Sequence, residues 1–132
     1  MDLNELKDKF INELSGGQSQ RAFLAMIIAQ NSKILLLDEP TTFLDINYQI
    51  KLLESLKKLL QIKKISIITV LHDVNLAARF CDRIAILKEG KLIDINTPEK
   101  VLNPENFKKA FEIDSHIIST PFGLQIIPAS KI

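Results

Sequence analysis

The sequence predicts an α/β fold in which helices flank a parallel sheet and antiparallel hairpins follow at the C-terminal end. The prediction depends first on two continuous apolar runs, residues 34–37 and 65–71, which lack the polar alternation of half-exposed strands. We therefore expect both runs to be parallel strands covered on both faces. It depends secondly on helical patterns that precede, separate and follow these runs. Turn residues at 89–90 and 121–123 indicate the hairpins.

Three helices are predicted around the two strands. Apolar residues recur at helical spacing in residues 1–10, which indicates a short amphipathic helix. Ser15 is a good N-cap for a second helix, which extends to about Gln30 and is apolar on almost every side, so we expect it to be buried. A third helix, capped by Asp45 or Asn47, has one apolar face. Its lysine-rich C-terminal half complements the helix dipole and needs no ligand.

The C-terminal part alternates short helices with strands that are bounded by turns. In order, we expect a helix over 74–80, a strand over 83–87, its hairpin partner over 91–95, short helices over 99–102 and 105–111, and a hairpin within 117–128. Thr97 and Asn103 each precede a proline, as helix caps commonly do. These elements would form an antiparallel appendage to the parallel sheet.

Composition limits the classes of partner and site. The chain has 132 residues, of which 46% are hydrophobic, enough for one modest core. Seventeen basic residues against sixteen acidic ones give a net charge of +1, so we expect no nucleic-acid partner. The single Cys81 excludes an internal disulfide and, with only two histidines, argues against a structural zinc site. No apolar run reaches the roughly 18 residues of a membrane span, so we expect membrane association through a partner.

Two stretches carry residues suited to chemistry. Residues 15–18, Ser-Gly-Gly-Gln, open the second helix, where glycines without Cβ atoms let a phosphate approach the positive end of the helix dipole. Asp38 and Glu39 follow the first apolar run, at the sheet edge where ligands bind in α/β folds. A hard cation and a water molecule could be held together there. Alone, each stretch is more often a plain helix start or strand end, and their order along the chain is what makes them informative.

In this order, and followed by Leu71-His72-Asp73, the stretches resemble the nucleotide-binding subunit of ABC transporters. The resemblance identifies residues 14–18 as the signature loop and residues 34–38 as the Walker B strand. It further identifies Leu44-Asp45 as the D-loop and His72 as the switch histidine. It implies a P-loop NTPase-like fold, and ATP and Mg²⁺ as cofactors.

The resemblance divides the site residues between two composite sites. In one, it implies that Asp38 helps to hold Mg²⁺ through its water shell, and that Glu39 orients or deprotonates the attacking water. His72 would hydrogen-bond the γ-phosphate in the same site. The opposite site holds the nucleotide of a second nucleotide-binding subunit, over which the signature loop closes while the D-loop reaches across the dimer. The residues that bind nucleotide or partner in this way are Ser15, Gly16, Gly17, Gln18 and Asp45.

The C-terminal segment narrows the resemblance. Residues 94–102 and 103–111, followed by a hairpin, resemble the ATPases of iron-siderophore, haem and cobalamin importers, although similar tails occur in importers of other substrates. The resemblance implies membrane permease partners and a peripheral location on the cytoplasmic face of the cell membrane. It divides the chain into a signature-helix part (1–30), a core with Walker B, D-loop and switch histidine (31–95) and a C-terminal appendage (96–132).

A P-loop is absent from the sequence. Its motif, G-x-x-x-x-G-K-[ST], fits none of the four glycines, which are Gly16, Gly17, Gly90 and Gly123. The resemblance is therefore to the C-terminal half of such a domain, with an incomplete sheet that lacks the P-loop strand and an N-terminal P-loop half as a missing partner. We expect the isolated chain to be inactive, and marginally stable because apolar strand edges stay unpaired.

Three interpretations are open from the sequence. The first is an ATP-hydrolysing subunit of an ABC importer whose P-loop half is on another polypeptide or missing from this sequence. The second is a non-catalytic remnant or docking fragment. The third, a soluble ABC-type ATPase acting on DNA or ribosomes, is disfavoured because the chain has no long charged heptad array and is not basic.

Overall fold

The computed structural model describes residues 7–131, except for the side chains of Gln20, Arg21, Ile28, Ser130 and Lys131. Two compact units divide the chain between Leu71 and His72. The first unit contains α1 (Gly16–Gln30), β1 (Ile34–Asp38), α2 (Ile46–Lys63) and β2 (Ser66–Val70). The second contains α3 (Val74–Phe80), β3 (Ile84–Lys88), β4 (Lys91–Asn96), α4 (Pro98–Val101), α5 (Pro104–Phe111), β5 (Ile113–Thr120) and β6 (Gly123–Lys131).

The strands of the first unit, β1 and β2, form a parallel pair, as the two apolar runs predict. Ile34 lies opposite Ser66 and Asp38 lies opposite Val70, so the two strands end at the same edge. The helix between them, α2, begins after Asp45 and ends at Lys63. The parallel pair together with the antiparallel hairpins of the second unit confirms the predicted α/β fold class.

One face of this sheet is exposed, which corrects the prediction that both faces are covered. Leu35 and Leu37 are 6% and 8% exposed, whereas Leu36 between them is 71% exposed. Ile68, opposite Leu36 on β2, is 62% exposed. Successive side chains of a strand point to opposite faces. The sheet therefore packs through one face and presents apolar side chains to solvent on the other.

Two helix predictions also differ from the structure. The first helix, α1, is not buried on every side, since Ile27 is buried but Met26 is 54% exposed. The reason is that α1 packs mainly on α2, which covers one side of it. The helix predicted over residues 1–10 lies outside the described residues as far as residue 6, and residues 7–9 form a turn and bend. A single turn of 3₁₀ helix, Ile11–Glu13, follows.

Helices and hairpins of the second unit enclose a core of their own. The β3–β4 hairpin turns at Glu89 and Gly90, whose φ angles of 49° and 74° are those of a type I′ turn. The β5–β6 hairpin turns at Pro121 and Phe122, as predicted, although β5 begins earlier than expected, at Ile113. Six buried apolar residues form the core cluster: Ala78, Ile86, Val101, Leu102, Phe107 and Ile126. Within residues 7–131, no helix combines the length and the apolar character needed to cross a membrane.

Candidate functional site

The signature loop, residues 14–18, leads into α1 through a reciprocal cap. The Ser15 amide donates to Gln18 Oε1 at 2.9 Å, and the Gln18 amide donates to Ser15 Oγ at 3.4 Å. The first bond has ordinary length and the second is long, so the glutamine side chain holds the turn more firmly than the serine hydroxyl does. This arrangement is the capping box of a helix start and matches the predicted cap at Ser15. The positive end of the α1 dipole is therefore fixed beside the loop.

The two glycines of the loop lie against the ring of Tyr48. A Cβ atom placed on Gly16 would lie 3.2 Å from Tyr48 Cε2, closer than ordinary van der Waals contact. A Cβ atom on Gly17 would lie 3.4 Å from Cε1, on the other side of the same ring. The ring therefore lies across both glycines. Sequence reasoning missed this residue because no spacing pattern links α2 to the loop, and its being the only tyrosine was the sole hint.

The D-loop aspartate, Asp45, turns the chain into α2. Its Oδ1 accepts a hydrogen bond from the Tyr48 amide at 3.1 Å, which makes Asp45, and not Asn47, the N-cap. Gln49 Nε2 donates to the carbonyl of Leu44 at 3.0 Å and closes the preceding loop onto the helix. Asp45 thus has a structural role that does not depend on contact with a second subunit.

The adjacent carboxylates Asp38 and Glu39 lie at the C-terminal end of β1, as predicted, but in different surroundings. Asp38 is the last residue of the strand and is exposed. Glu39 is half-buried and has a φ of 46°, in the left-handed region that few non-glycine residues adopt. Its Oε2 accepts from the Thr42 hydroxyl at 3.2 Å, and its carbonyl accepts from the Thr42 amide at 3.1 Å. The turn therefore holds the Glu39 carboxylate beside a hydroxyl and leaves Asp38 open to solvent.

The predicted switch histidine, His72, is the first residue of the second unit and is exposed. The residue after it, Asp73, is the N-cap of α3. Asp73 Oδ1 accepts from the amides of Asn75 and Leu76 at 2.8 and 3.0 Å. This double cap fixes the backbone immediately after the histidine.

The predicted site residues thus fall into three groups. Tyr48 lies beside the signature loop through its ring and is bonded to Asp45 through its amide. The two carboxylates are consecutive, and His72 is the first residue of the second unit. The described residues contain no group of three or more acidic, histidine or cysteine side chains that could hold a metal ion. Asp38 offers a single exposed carboxylate, a hard-oxygen ligand of the kind that Mg²⁺ accepts beside phosphate and water. The residues therefore fit the metal and water side of such a site but form no phosphate cradle, since the sequence has no P-loop motif.

Comparison with known proteins identifies the class to which this arrangement belongs. The family model for ABC transporters matches residues 1–42. The petrobactin import ATP-binding protein FpuC of Bacillus anthracis is 48% identical over 109 residues, which is 83% of this chain and 40% of that protein. A solved ABC transporter assigned to the metal-chelate type, in an inward-facing conformation, gives a TM-score of 0.81 at 25% identity, over 98% of this chain and 53% of that one. The dimeric ATP-binding cassette MJ0796, bound to ADP and Pi, gives a TM-score of 0.57 at 38% identity, over 73% of this chain and 43% of that one.

These matches define a chain with the fold of the P-loop NTPases. The chain is similar to ABC transporter ATP-binding proteins, as its motifs predict. It spans 40% of the length of the Bacillus anthracis relative and about half of the solved transporter chain.

Proposed function

We propose that the chain forms part of the ATP-hydrolysing site of an ABC importer. One observation carries the proposal: a capped signature loop and a parallel strand that ends in Asp38 and Glu39 occur within the same compact unit. The order of these parts along the chain is the order that the family resemblance implies. The family name and the ADP and Pi bound to the cassette MJ0796 support ATP as the nucleotide.

The two carboxylates divide the chemistry between them. Asp38, exposed at the strand end, would hold Mg²⁺ through the water shell of the ion. When bound, Mg²⁺ neutralises charge on the phosphates. Glu39 orients the attacking water or takes its proton, and the Thr42 hydroxyl fixes the direction of the Glu39 carboxylate. His72 donates a hydrogen bond to the γ-phosphate.

The signature loop serves the site of a second nucleotide-binding subunit. A capped helix start with two glycines presents amide groups and a positive dipole end to an anion. Asp45, next to the loop through Tyr48, reaches the second subunit across the dimer. The dimeric form of the cassette MJ0796 supports this arrangement.

A P-loop-bearing segment outside this 132-residue sequence completes the site. Its need follows from the lack of a P-loop motif among the four glycines. The exposed apolar face of the β1–β2 pair supports the same conclusion, because burial of Leu36 and Ile68 under such a segment stabilises the protein.

The transported substrate we infer is an iron-siderophore or a related metal chelate such as haem or cobalamin. The petrobactin import relative and the transporter assigned to the metal-chelate type support this choice. In this role the chain works with membrane permease subunits at the cytoplasmic face of the membrane. Substrate choice itself belongs to those partners.

Complementation tests the proposal. The chain is assayed for ATP turnover alone and as a fusion behind a P-loop-bearing N-terminal segment of an ABC importer ATPase. We expect no turnover from the chain alone and measurable turnover from the fusion. In the fusion, Glu39→Gln should lower turnover by about 10²- to 10⁴-fold, because water activation is lost. Glu54→Gln, on the exposed side of α2, is the matched control and should keep full activity.

Two results would contradict the proposal. Turnover by the chain alone that disappears in Glu39→Gln would show a complete site in these residues. A fusion that binds ATP, dimerises and never hydrolyses it would favour the second candidate, a non-catalytic docking fragment, for which the absent P-loop motif also argues.

A further inference from the structure

Tyr48 lies against the signature loop but has no part in the roles proposed for the site residues. Tyr48 is half-buried on the first turn of α2, and its ring lies across Gly16 and Gly17. Glycine has the largest conformational freedom of any residue. The Ser15–Gln18 cap spans the two glycines, and the flat ring adds a second restraint on the direction of their amides.

Asp45 fixes the backbone of Tyr48 in its turn. Asp45 Oδ1 accepts from the Tyr48 amide at 3.1 Å, one turn before the ring emerges from the helix. The Lys51 ammonium lies 5.5 Å from the ring centroid, a favourable cation–π distance that adds to the restraint on the ring. A continuous path of direct contacts thus joins Asp45, through Tyr48, to the two glycines.

We propose that Tyr48 is a positioning residue that sets the signature loop and couples it to the Asp45 turn. The nucleotide side of this inference rests on the proposed function, whereas the contact does not. The ring holds the Gly16 and Gly17 amides toward a phosphate, and a displacement of Asp45 moves the ring and the loop with it. Loss of the ring leaves the affinity of the P-loop side for nucleotide intact and lowers turnover.

Hydrogen exchange of the full chain tests the positioning without any activity. In Tyr48→Ala, the Ser19 amide, which donates to the Ser15 carbonyl at 2.8 Å, should exchange about tenfold faster than in the native chain, because the packing restraint on the helix start is gone. Tyr48→Phe keeps the ring and should show native rates. Amides of β2 serve as the internal reference and should not change. A native rate at the Ser19 amide in Tyr48→Ala, or equal acceleration in β2, would overturn the proposal.

A double-mutant cycle tests whether the ring and the glycine act on each other. Gly16→Ala places a methyl group 3.2 Å from the ring, which must shift by a few tenths of an ångström, so exchange of the Ser19 amide should rise less than in Tyr48→Ala. The double variant Gly16→Ala, Tyr48→Ala should exchange no faster than Tyr48→Ala alone, because without the ring the methyl group has nothing to displace. Additive acceleration would show that the two residues act independently and would overturn the coupling.

Turnover of the P-loop fusion gives the functional readout. Tyr48→Ala should lower kcat about tenfold with the KM for ATP unchanged, and Tyr48→Phe should restore native kcat. Unchanged kcat in Tyr48→Ala, or a loss of kcat in both variants, would overturn the role of the ring. If the native fusion has no turnover, the proposed function fails, while the exchange rates still decide the positioning role of Tyr48.

Discussion

The two compact units use their polar side chains in different ways. In the first unit, they shape loops over short distances along the chain. Ser15 pairs with Gln18, and Asp45 pairs with the amide of Tyr48, each three positions away. These bonds place the signature loop and the D-loop and connect no distant elements.

In the second unit, polar side chains tie distant elements together. Asn75 on α3 makes two hydrogen bonds with the backbone of Ile126 on β6, 51 positions away, accepting from the amide at 2.7 Å and donating to the carbonyl at 3.3 Å. The buried Asn106 on α5 donates to Asp94 on β4, 12 positions away, at 2.9 Å. Such bonds, added to a cluster of buried apolar residues, stabilise a unit that encloses its own core.

The difference indicates a division of labour within one chain. The unit with the signature loop, the carboxylates and the D-loop leaves one sheet face uncovered, as at Leu36 and Ile68. The unit that follows it covers a core with its own helices and hairpins, although Leu87 and Ile95 on its β3–β4 hairpin are 61% and 42% exposed. Binding and catalytic residues commonly lie on loops that a more rigid part of the protein supports. Mutations in the two units should therefore change the free energy of unfolding by different amounts. Their effects should also respond differently to a partner.

The largest effect is expected in the core of the second unit. Phe107 is 2% exposed, so Phe107→Ala should cost about 3–5 kcal/mol, a large part of the 5–15 kcal/mol that stabilises a typical domain. Phe111, whose ring centroid lies 5.2 Å away, is 52% exposed and gives the matched control Phe111→Ala. Urea unfolding followed by circular dichroism measures both. Equal losses would show that the second unit has no closed core.

Neighbouring leucines on β1 test the open face of the first unit. Leu37→Ala removes a buried side chain and should cost about 2–5 kcal/mol. Leu36→Ala removes an exposed one and should change the free energy of unfolding by about 0.5 kcal/mol or less. In the P-loop fusion, the cost of Leu36→Ala should rise if the added segment covers this face. Equal costs in the chain alone would contradict the one-sided sheet.

A smaller effect is expected at the cap of α2. Asp45→Ala removes the acceptor for the Tyr48 amide and should cost about 1 kcal/mol. Asp45→Asn keeps an acceptor and should stay close to native stability. Thermal unfolding distinguishes them, and a full loss in Asp45→Asn would mean that the charge and not the hydrogen bond stabilises the helix start. Loss of turnover in the fusion of Asp45→Asn would then report the D-loop role separately from the cap.

The smallest effect should come from an exposed ion pair of the second unit. Lys88 Nζ donates to Glu112 Oε1 at 2.6 Å, and this hydrogen bond, followed by charge attraction, lowers the pKa of Glu112. Because the folded pKa lies below the unfolded one, the pair stabilises the fold above the ordinary glutamate pKa, and this is lost as the pH falls through the folded pKa. Unfolding midpoints measured across the acid range should show a slightly weaker acid dependence in Glu112→Gln than in Glu54→Gln, and added salt should reduce the difference. Identical acid profiles in the two variants would show that the ion pair does not contribute to stability.

Sequence reasoning succeeded where neighbouring residues decide the structure. The caps at Ser15 and Asp45 and the turn at Gly90 depend on a few adjacent residues, and the structure has them. The parallel pairing of β1 and β2 followed from two long apolar runs. An apolar run, however, indicates burial without naming what covers it, which is why coverage of the second sheet face was wrongly expected.

The contacts of the candidate site were harder to predict. Tyr48 meets the signature loop only through the packing of α2 on α1, and no local pattern encodes that packing. The left-handed φ of Glu39 has no sequence signal of its own. The family of the chain could be recognised because its motifs are short and ordered. The roles of Asp38, Glu39 and His72 in hydrolysis stay predictions.

Glu39 has a backbone conformation that lowers stability and a carboxylate that is proposed to serve activity. A non-glycine residue held at a φ of 46° costs of the order of 1–3 kcal/mol. Glycine there would relieve this strain and would also remove the carboxylate assigned to water activation. A directed-evolution screen that rewards soluble yield would therefore enrich glycine at position 39, whereas a screen that rewards ATP turnover of the P-loop fusion would retain Glu39.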